Sequence, residues 1–289
     1  MISVIIASAN KEFLAQVSEN VKRTIGVDFE IIAFDNASGQ KGICEVYNLG
    51  ITKAKYDVLC FMHEDIEIHT GNWGRSVLDI FEAQPKLGLI GIAGSLYKAL
   101  SPSSWFSWLD QYNRFNMIQQ YKFSDTEMKV VYQNPNEEKL AKVNGVDGVW
   151  FCTHKGVTDE IRFDEHLLKG FHGYDVDFSL SVAEKWDVAV TFDVLITHFS
   201  EGNYDQKWIE STLLVHEKWK GRLPKGEAYL AKGDALECEK KAFLFFIDQM
   251  YLAGYTKMSM WRILWKSKIY NHFGWGICFK IAKYIRRKK

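Results

Sequence analysis

Hydrophobic positions along the first hundred residues alternate between the patterns of strands and helices. Four continuous apolar runs have the length of buried strands, namely Ile2–Ala7, Glu30–Phe34, Val58–Met62 and Leu87–Ala93. Between these runs, apolar residues recur at helical spacing from Phe13 to Ile25, and a second helix is predicted over roughly Ile43–Lys53. This alternation predicts the α/β class, with a mostly parallel sheet flanked by helices.

The first three predicted strands each end in a polar cluster. These clusters are Ser8-Ala9-Asn10, Asp35-Asn36 and His63-Glu64-Asp65. Parallel strands end at the same edge of a sheet, and that edge is where open α/β sheets bind their ligands. Carboxylates and an imidazole at this edge suit a divalent cation that carries phosphates, whereas a plain polar loop is the simpler alternative.

An aromatic stretch replaces the α/β pattern between Leu96 and Lys142. We interpret residues 96–142 as an insertion beside the ligand crevice. Its aromatic residues are Trp105, Phe106, Trp108, Tyr112, Phe115 and Tyr121. Aromatic rings stack on sugars, but six of them can also form a small core of their own, and the sequence leaves both alternatives open. A glycine-rich turn at 143–148 then leads into a strand predicted over Val149–Thr153.

Two further polar features follow in the second half of the chain. Asp175 and Asp177 stand at the start of a predicted helix, where one carboxylate can cap the helix while the other faces a pocket. A strand predicted over Thr191–Ser200 ends in His198. A lone histidine is usually structural, but imidazole is also a common metal ligand, and Asp65 already stands at a strand end.

Composition and charge narrow the class of protein. With 289 residues, 47% of them hydrophobic, the chain can bury a large core in one domain or two. From Gln249 onward there are ten Lys or Arg and no Asp or Glu, so the preceding residues hold 26 basic and 36 acidic side chains. Because nucleic acids require basic surface, this acidic body argues against them as partners.

The cysteines and the first residues of the chain indicate the cellular compartment of the protein. The five cysteines are scattered without a CxxC pair, which predicts buried thiols in a reducing compartment. The first residues show no basic region and no apolar run typical of a signal peptide. We therefore expect a first core strand at this end and a cytoplasmic location.

The segment 258–289 is basic and rich in tryptophan. It mixes Lys and Arg with aromatic and aliphatic residues, a composition typical of helices that lie in membrane interfaces. No uninterrupted run of 18 apolar residues occurs, so we expect it not to span a bilayer. Peripheral association with an anionic membrane is one interpretation, and a helix packed on the body with a solvated basic end is the other.

Six segments in fixed order resemble the family-two nucleotide-sugar glycosyltransferases, which have the Rossmann-like GT-A fold. They are VIIASAN, EIIAFDNAS, ICEVYNLGITKAKYDVLCFMHEDIEI, GVDGVWFCTHK, FDEHLLKGFHGYDVDFSL and VLITHFSEG. The resemblance covers roughly residues 1–200. It implies a catalytic domain over 1–220, which includes the aromatic insertion, and a helical basic extension over 221–289.

The resemblance also implies roles for individual residues. Asp175 takes the position of the catalytic base, and Asp65 and His198 take those of ligands for Mn²⁺ or Mg²⁺. Binding of the nucleotide sugar is implied for Ala7, Ser8, Asn10, Asp35, Asn48, Glu64, Asp65, Gly148 and Trp150. Contacts with the donor or acceptor sugar are expected from Asp147, Tyr174, Asp177, Trp105 and Trp108.

The chain departs from the family pattern at three positions. His63 replaces the first Asp of the DXD motif, Tyr174 replaces a common Glu, and Tyr47 replaces the Arg of an Arg-Asn pair. The leading hypothesis is an inverting glycosyltransferase that uses a nucleoside-diphosphate sugar, most simply a UDP-sugar, and a glycan or lipid-linked acceptor of a surface polysaccharide. An inactive nucleotide-binding scaffold and a nucleotidyltransferase are the alternatives.

Overall fold

The structure, a computed structural model, describes residues 1–121, 127–200, 202–231 and 233–288. Parts of the predicted insertion (122–126) and of the basic extension (232 and 289) lie outside the described residues. The strands are β1 (Ile2–Ser8), β2 (Phe29–Asp35), β3 (Val58–Met62), β4 (Ile66–Ile68), β5 (Leu87–Gly91), β6 (Ala93–Ser95), β7 (Asn113–Gln119), β8 (Lys129–Gln133), β9 (Leu140–Val143), β10 (Gly145–Val146), β11 (Trp150–His154), β12 (Asp187–Thr191) and β13 (Ile196–His198). The α-helices are α1 (Lys11–Thr24), α2 (Ile43–Lys53), α3 (Trp73–Ala83), α4 (Lys155–Thr158), α5 (Tyr174–Val182), α6 (Gln206–Lys218), α7 (Asp234–Leu252), α8 (Lys257–Ser267), α9 (Ile269–Phe273) and α10 (Trp275–Arg287).

The main sheet has the strand order β2-β1-β3-β11-β5-β12-β9. β1 pairs in parallel with both β2 and β3, while β11 lies antiparallel between β3 and β5. The register sets Ser8 beside Asp35 and Ile6 beside Met62, so the first three strands end together. The predicted α/β class is confirmed, as is the meeting of the three polar strand ends at one edge.

Residues 96–142, interpreted from the sequence as an insertion, contribute strands to a second sheet and to the main sheet. The order of the second sheet is β10-β6-β7-β13-β4, and β8 pairs with β7. β7 therefore lies inside this sheet, and β9 forms an edge of the main sheet. The strands of the aromatic stretch form backbone hydrogen bonds with strands from other parts of the chain, so this stretch is an integral part of both sheets.

The prediction of one strand over Thr191–Ser200 is wrong, because the chain passes from the main sheet to the second sheet within this segment. β12 ends the main-sheet segment at Thr191, and β13 starts the second-sheet segment at Ile196. The connection is held by the Asn116 side chain, which donates to the carbonyl oxygens of Phe192 and Val194 at 3.0 and 2.8 Å. His198 remains a strand end, now in the second sheet.

Local capping explains where the helices beside the edge begin. Asn10 caps α1, since its Oδ1 accepts from the backbone N–H groups of Glu12 and Phe13 at 2.9 and 3.2 Å. α5 instead follows Gly173, whose φ of 81° is left-handed, and no side chain caps it. Capping by Asp175 or Asp177, one of the alternatives that the sequence left open, is not observed, so both carboxylates are left for other contacts.

The helices after residue 205 have a hydrophobic core of their own. Side chains of α6 to α10 form it, including Trp208, Phe243, Phe246, Leu264 and Ile281. The predicted helical character of the C-terminal region is confirmed. Within the described ranges, no helix combines the length and apolar character that a membrane span requires. All five cysteines are buried and unpaired.

Candidate active site

A cavity of about 880 Å³ opens at the edge where β1, β2 and β3 end. Both sheets and the start of α5 contribute to its walls. Of the residues predicted to form a site, those that line the cavity are Ala7, Ser8, Asn10, Glu64, Asp65, Trp105, Asp147, Gly148, Tyr174, Asp175 and His198. Most of the predicted site is thus brought together in one place.

Three side chains that can ligate a metal meet in this cavity. Nδ1 of His63 and Nε2 of His198 each lie 3.8 Å from Oδ1 of Asp65, and one ligand atom of each residue lies within 4.8 Å of the others. His63 and Asp65 follow β3, whereas His198 ends β13. β13 pairs with β4, and His198 is the register partner of Ile66. This pairing positions His198 next to the loop after β3.

Asp65 is held in its ionised form. Burial acts to raise the pKa of its carboxyl group, but His63, His198 and a hydrogen bond from Ser200 outweigh burial and keep that pKa below the usual value. The Ser200 hydroxyl donates to Oδ2 at 2.6 Å. An ionised carboxylate beside two imidazoles is a donor set suited to a divalent transition metal.

Tyr174 orients the imidazole of His63. The Tyr174 hydroxyl lies 2.8 Å from Nε2 of His63 and donates to the carbonyl oxygen of Gly148 at 3.1 Å. The Tyr174 hydroxyl has one proton, and it donates that proton to the Gly148 carbonyl. In the contact between Tyr174 and His63 we therefore assign the proton to Nε2 of His63, which donates to the tyrosine oxygen. Nδ1 then keeps its lone pair on the side of Asp65. A Cβ at Gly148 would lie 2.1 Å from the Tyr174 hydroxyl oxygen, so this position requires glycine.

Glu64 ties the loop after β1 to the end of β3. Its carboxylate accepts from the Ser8 hydroxyl at 2.5 Å and from the backbone N–H groups of Ala9 and Asn10 at 2.9 and 3.0 Å. These contacts join two strand ends that are 54 to 56 residues apart. Glu64 therefore shapes the cavity wall formed by Ala7, Ser8 and Asn10, where nucleotide binding was expected.

Asp175 lines the cavity beside a second carboxylate. Burial, followed by the negative charge of Asp147, raises the pKa of Asp175 to about 7. Asp147 is held in place because its Oδ2 accepts from Nε1 of Trp105 at 2.6 Å and its Oδ1 from the Val149 backbone at 2.8 Å. A carboxylate with a pKa near neutrality can take up a proton during a reaction, which is the property of a general base.

Asp177 points to the opposite side of α5. It is buried, accepts from Nζ of Lys218 at 2.8 Å and accepts from Nε1 of Trp219 at 2.8 Å. The two-residue spacing therefore directs the two carboxylates to different sides, as expected. Asp177 joins α5 to α6 and does not line the cavity, so its predicted sugar contact gains no support from the geometry.

Asp35 and Asn48 also lie outside the cavity lining. Asp35 is exposed at the end of β2 and accepts from the Ala37 backbone at 3.1 Å, while its neighbour Asn36 does line the cavity. Asn48 exchanges two hydrogen bonds with the backbone of Phe163, at 2.9 and 3.1 Å. Asn48 thus fixes the segment before α5, and the nucleotide contacts of both residues stay predictions.

Two of the predicted tryptophans serve the packing of the fold. Trp150 is fully buried in β11 and its ring contacts that of Trp73 at 5.8 Å between centroids. Trp108 contacts Phe245 of α7 at 4.6 Å. Of the aromatic stretch, Trp105, Phe106 and Phe115 line the cavity, so the stretch serves both the core and the cavity surface.

Several cavity residues have no signal in the sequence pattern. Tyr204, Lys207 and Trp208 line it from the segment around the start of α6. The only local mark of this segment is Asp205, which caps α6 by accepting from the Trp208 backbone at 2.9 Å. Ser200, which binds Asp65, lies two residues after His198 and could be found only through the fold.

A model of a protein family described as "Glycosyltransferase like family" matches residues 3–211. The chain belongs to this family. The match takes in every strand of both sheets and all the cavity residues described above. No curated protein sequence matches the chain.

Two solved structures are similar to this chain to different degrees. GalNAc-T7, solved with UDP, GalNAc and Mn²⁺, is similar over 87% of this glycosyltransferase-like chain with a TM-score of 0.52 and 12% identity. The chain covers 56% of the length of that structure. The S. aureus TarS 1-349 structure is similar over 88% of this chain and 72% of the TarS chain, with a TM-score of 0.47 and 11% identity. The GT-A fold expected from the sequence is confirmed.

Proposed function

We propose that this protein is an inverting glycosyltransferase that moves a sugar from UDP to a hydroxyl group of a glycan or lipid-linked acceptor. One observation carries the proposal. A single cavity is lined both by a cluster suited to a metal and by a carboxylate, Asp175, whose pKa is raised to about 7. Displacement at an anomeric carbon needs these two parts, one for the leaving diphosphate and one for the acceptor proton.

The metal-binding part consists of His63, Asp65 and His198. The lone pair assigned to Nδ1 of His63 and the ionised state of Asp65 fit a divalent cation held by two nitrogens and one oxygen. Two imidazoles favour Mn²⁺ over Mg²⁺, which prefers oxygen ligands. When bound, the cation neutralises the charge that develops on the leaving diphosphate. His63 thereby fills the role of the missing first Asp of the DXD motif.

Asp175 is the general base of the proposed reaction. Its carboxylate takes the proton of the acceptor hydroxyl while that oxygen forms a bond to the anomeric carbon. The bond from that carbon to the diphosphate oxygen breaks, and its electron pair leaves with UDP. Because the two oxygens lie on opposite faces of the carbon, the anomeric configuration inverts. Burial, followed by the negative charge of Asp147, keeps the pKa of Asp175 high, and the Trp105 indole holds Asp147 in place.

We assign the donor side of the cavity to the wall formed by Ser8, Asn10 and Asn36. Glu64 holds Ser8 and Asn10 of this wall through hydrogen bonds. A uridine nucleotide is proposed because the GalNAc-T7 structure, which has the same fold, is named with UDP. On the acceptor side, Trp105 and Tyr204 supply aromatic faces for a sugar ring. A surface polysaccharide made on the cytoplasmic face of a membrane is the proposed context.

The test is a panel of UDP-sugars and acceptors with Mn²⁺, in which released UDP and the glycosylated product are both measured. We expect Asp175→Asn to keep UDP binding and to lower turnover at least about a thousandfold. Asp159→Asn, a change of an exposed carboxylate on the same domain, serves as the control. Turnover of Asp175→Asn equal to that of the control would remove Asp175 as the base.

A nucleotide-binding scaffold without catalysis is the second candidate, and the replacement of two family carboxylates by His63 and Tyr174 is the observation that favours it. Under that hypothesis UDP and Mn²⁺ bind, but no UDP-sugar of the panel yields UDP or product. The two replacements are compatible with a metal site, because the Tyr174 hydroxyl contacts Nε2 of His63 and orients its imidazole.

A further inference from the structure

The C-terminal helices expose large apolar side chains that the proposed transfer reaction does not use. The exposed fraction is 49% for Trp265, 52% for Trp275, 68% for Phe279 and 71% for Met258. Soluble surfaces carry single exposed apolar residues routinely, but a contiguous patch indicates an interaction site. These four side chains belong to α8 and α10.

On α10 the exposed apolar and basic residues share one stripe. Trp275, Phe279, Lys283 and Arg286 follow each other at spacings of four, four and three residues, which places them on the same side of a helix. All four are exposed, while Ile277, Cys278, Ile281 and Ile285 pack into the helical core on the other side. The helix is therefore oriented with both its rings and its charges outward.

α8 extends this stripe. Met258, Arg262 and Trp265 are exposed at helical spacing, and Met260 and Leu264 are buried on the other side. The rings of Trp265 and Trp275 lie 6.2 Å apart, which joins the two helices into one surface. Tyr270 stacks on Trp275 at 4.5 Å and fixes its orientation. We call the exposed residues of α8 and α10 the aromatic-basic face, defined by Met258, Arg262, Trp265, Trp275, Phe279, Lys283 and Arg286.

The basic side chains of this face lie apart from the carboxylates that the structure describes. Among the residues that the structure describes, no carboxylate lies within 4 Å of the charged nitrogens of Arg262, Lys283 or Arg286. Lys288, beside the face, is paired with Asp248. From Gln249 onward the sequence holds ten Lys or Arg and no acidic residue. A partner for this face therefore has to be negatively charged.

We propose that the aromatic-basic face docks on the surface of an anionic lipid bilayer. Cations beside exposed Trp and Phe fit such a surface, because the rings enter the boundary between headgroups and acyl chains while Lys and Arg stay at the phosphates. A second copy of the chain would bring equal positive charges together. An acidic protein would satisfy the charges, but it offers no apolar phase for Met258 and Phe279. This inference stands independently of the proposed reaction.

The test is flotation of the full chain with vesicles of phosphatidylcholine alone or with added phosphatidylglycerol, at low and high salt. We expect binding only to the anionic vesicles, and weaker binding at high salt. Lys283→Glu/Arg286→Glu should lower partitioning at least about tenfold. Lys22→Glu/Lys86→Glu, which makes the same charge change on exposed residues of the catalytic domain, should lower it less than about twofold.

A second pair of substitutions tests how much the apolar side chains contribute to membrane binding. Trp275→Ser/Phe279→Ser should also lower partitioning at least about tenfold, with the melting curve monitored to verify folding. Brominated lipids should quench the tryptophan fluorescence of the unmodified protein, a readout that needs no variant. Equal binding to neutral vesicles, equal loss in both charge variants, or no quenching would overturn the proposal. So would binding to an acidic protein or an oligonucleotide without binding to vesicles.

Discussion

At the scale of single residues, the site depends on carboxylates that the fold treats differently. Asp65 is kept ionised by two histidines and Ser200, while Asp175 is pushed toward its protonated form by burial and Asp147. Asp177, two residues from Asp175, is paired with Lys218. Asp65 is thus suited to bind a cation, Asp175 is suited to transfer a proton, and Asp177 stabilises the packing of helices. The different surroundings of the three carboxylates cause this difference.

The raised pKa of Asp175 predicts a cost in stability that depends on pH. Below about pH 3 the carboxyl group is protonated in both the folded and the unfolded chain. As the pH rises toward 7 the unfolded chain loses this proton first, so unfolding becomes more favourable, and the cost is complete above about pH 7. We expect Asp175→Asn to raise the free energy of unfolding by about 2 kcal/mol at pH 8 and not at pH 3.

Urea unfolding of the nucleotide-free protein at the two pH values measures this difference. Asp159→Asn, which alters an exposed carboxylate, should change the free energy of unfolding by less than about 0.5 kcal/mol at both. A destabilising effect of Asp175→Asn at pH 8 would contradict the environment assigned to Asp175.

At the scale of elements, the site forms where three strand ends and the start of α5 converge. β13 brings His198 to the loop after β3, and α5 brings Tyr174 to His63 and Asp175 to the cavity. Since α5 starts with a left-handed Gly173, its first turn presents these side chains without a capping residue. The candidate metal ligands and Asp175 are therefore linked through two neighbouring residues of one helix.

This linkage predicts an effect of Tyr174→Phe on metal binding. Without the hydroxyl, Nε2 of His63 loses its partner, and the tautomer and orientation of the ring are no longer fixed. We expect the affinity for Mn²⁺ to fall about tenfold to a hundredfold, as for other partners of metal-ligating histidines. Titration calorimetry with Mn²⁺ measures it, and Tyr132→Phe, at an exposed position, is the control. Unchanged affinity would show that Tyr174 does not orient a ligand.

At the scale of the whole molecule, the C-terminal helices and the catalytic body share buried polar contacts. Glu239 of α7 accepts from the Tyr97 hydroxyl at 2.6 Å and from the backbone N–H groups of Leu100 and Ser101 at 2.7 Å. The segment it holds leads to Trp105 in the cavity wall. The helical region therefore supports the cavity wall around Trp105 in addition to carrying the aromatic-basic face.

These contacts predict a large stability effect of Glu239→Ala. Three buried donors lose their acceptor at once, so we expect the free energy of unfolding to fall by about 3 kcal/mol or more. Glu237→Ala, on the same helix, removes a partly exposed ion pair with Lys240 and should cost less than about 1 kcal/mol. Thermal and urea unfolding compare the two variants, and equal costs would contradict the bridging role of Glu239.

The sequence predicted what is encoded locally and missed what depends on distant pairing. Buried apolar runs followed by polar residues placed Ser8, Asn10 and Asp65 correctly at one sheet edge. The crossing of the chain between sheets near Phe192 was not predictable, because it depends on Asn116, which is 76 residues away. In the same way, Glu239 contacts a segment about 140 residues before it, and no local pattern indicates that contact.

The proposed function depends on a metal-dependent nucleotide site at His63, Asp65 and His198. Calorimetric titration measures UDP binding to the unmodified chain and to Asp65→Asn, in each case with Mn²⁺ and with a chelator. We expect UDP binding that requires Mn²⁺ and is at least about tenfold weaker in Asp65→Asn. UDP affinity that is the same with the chelator, or the same in the variant, would contradict it.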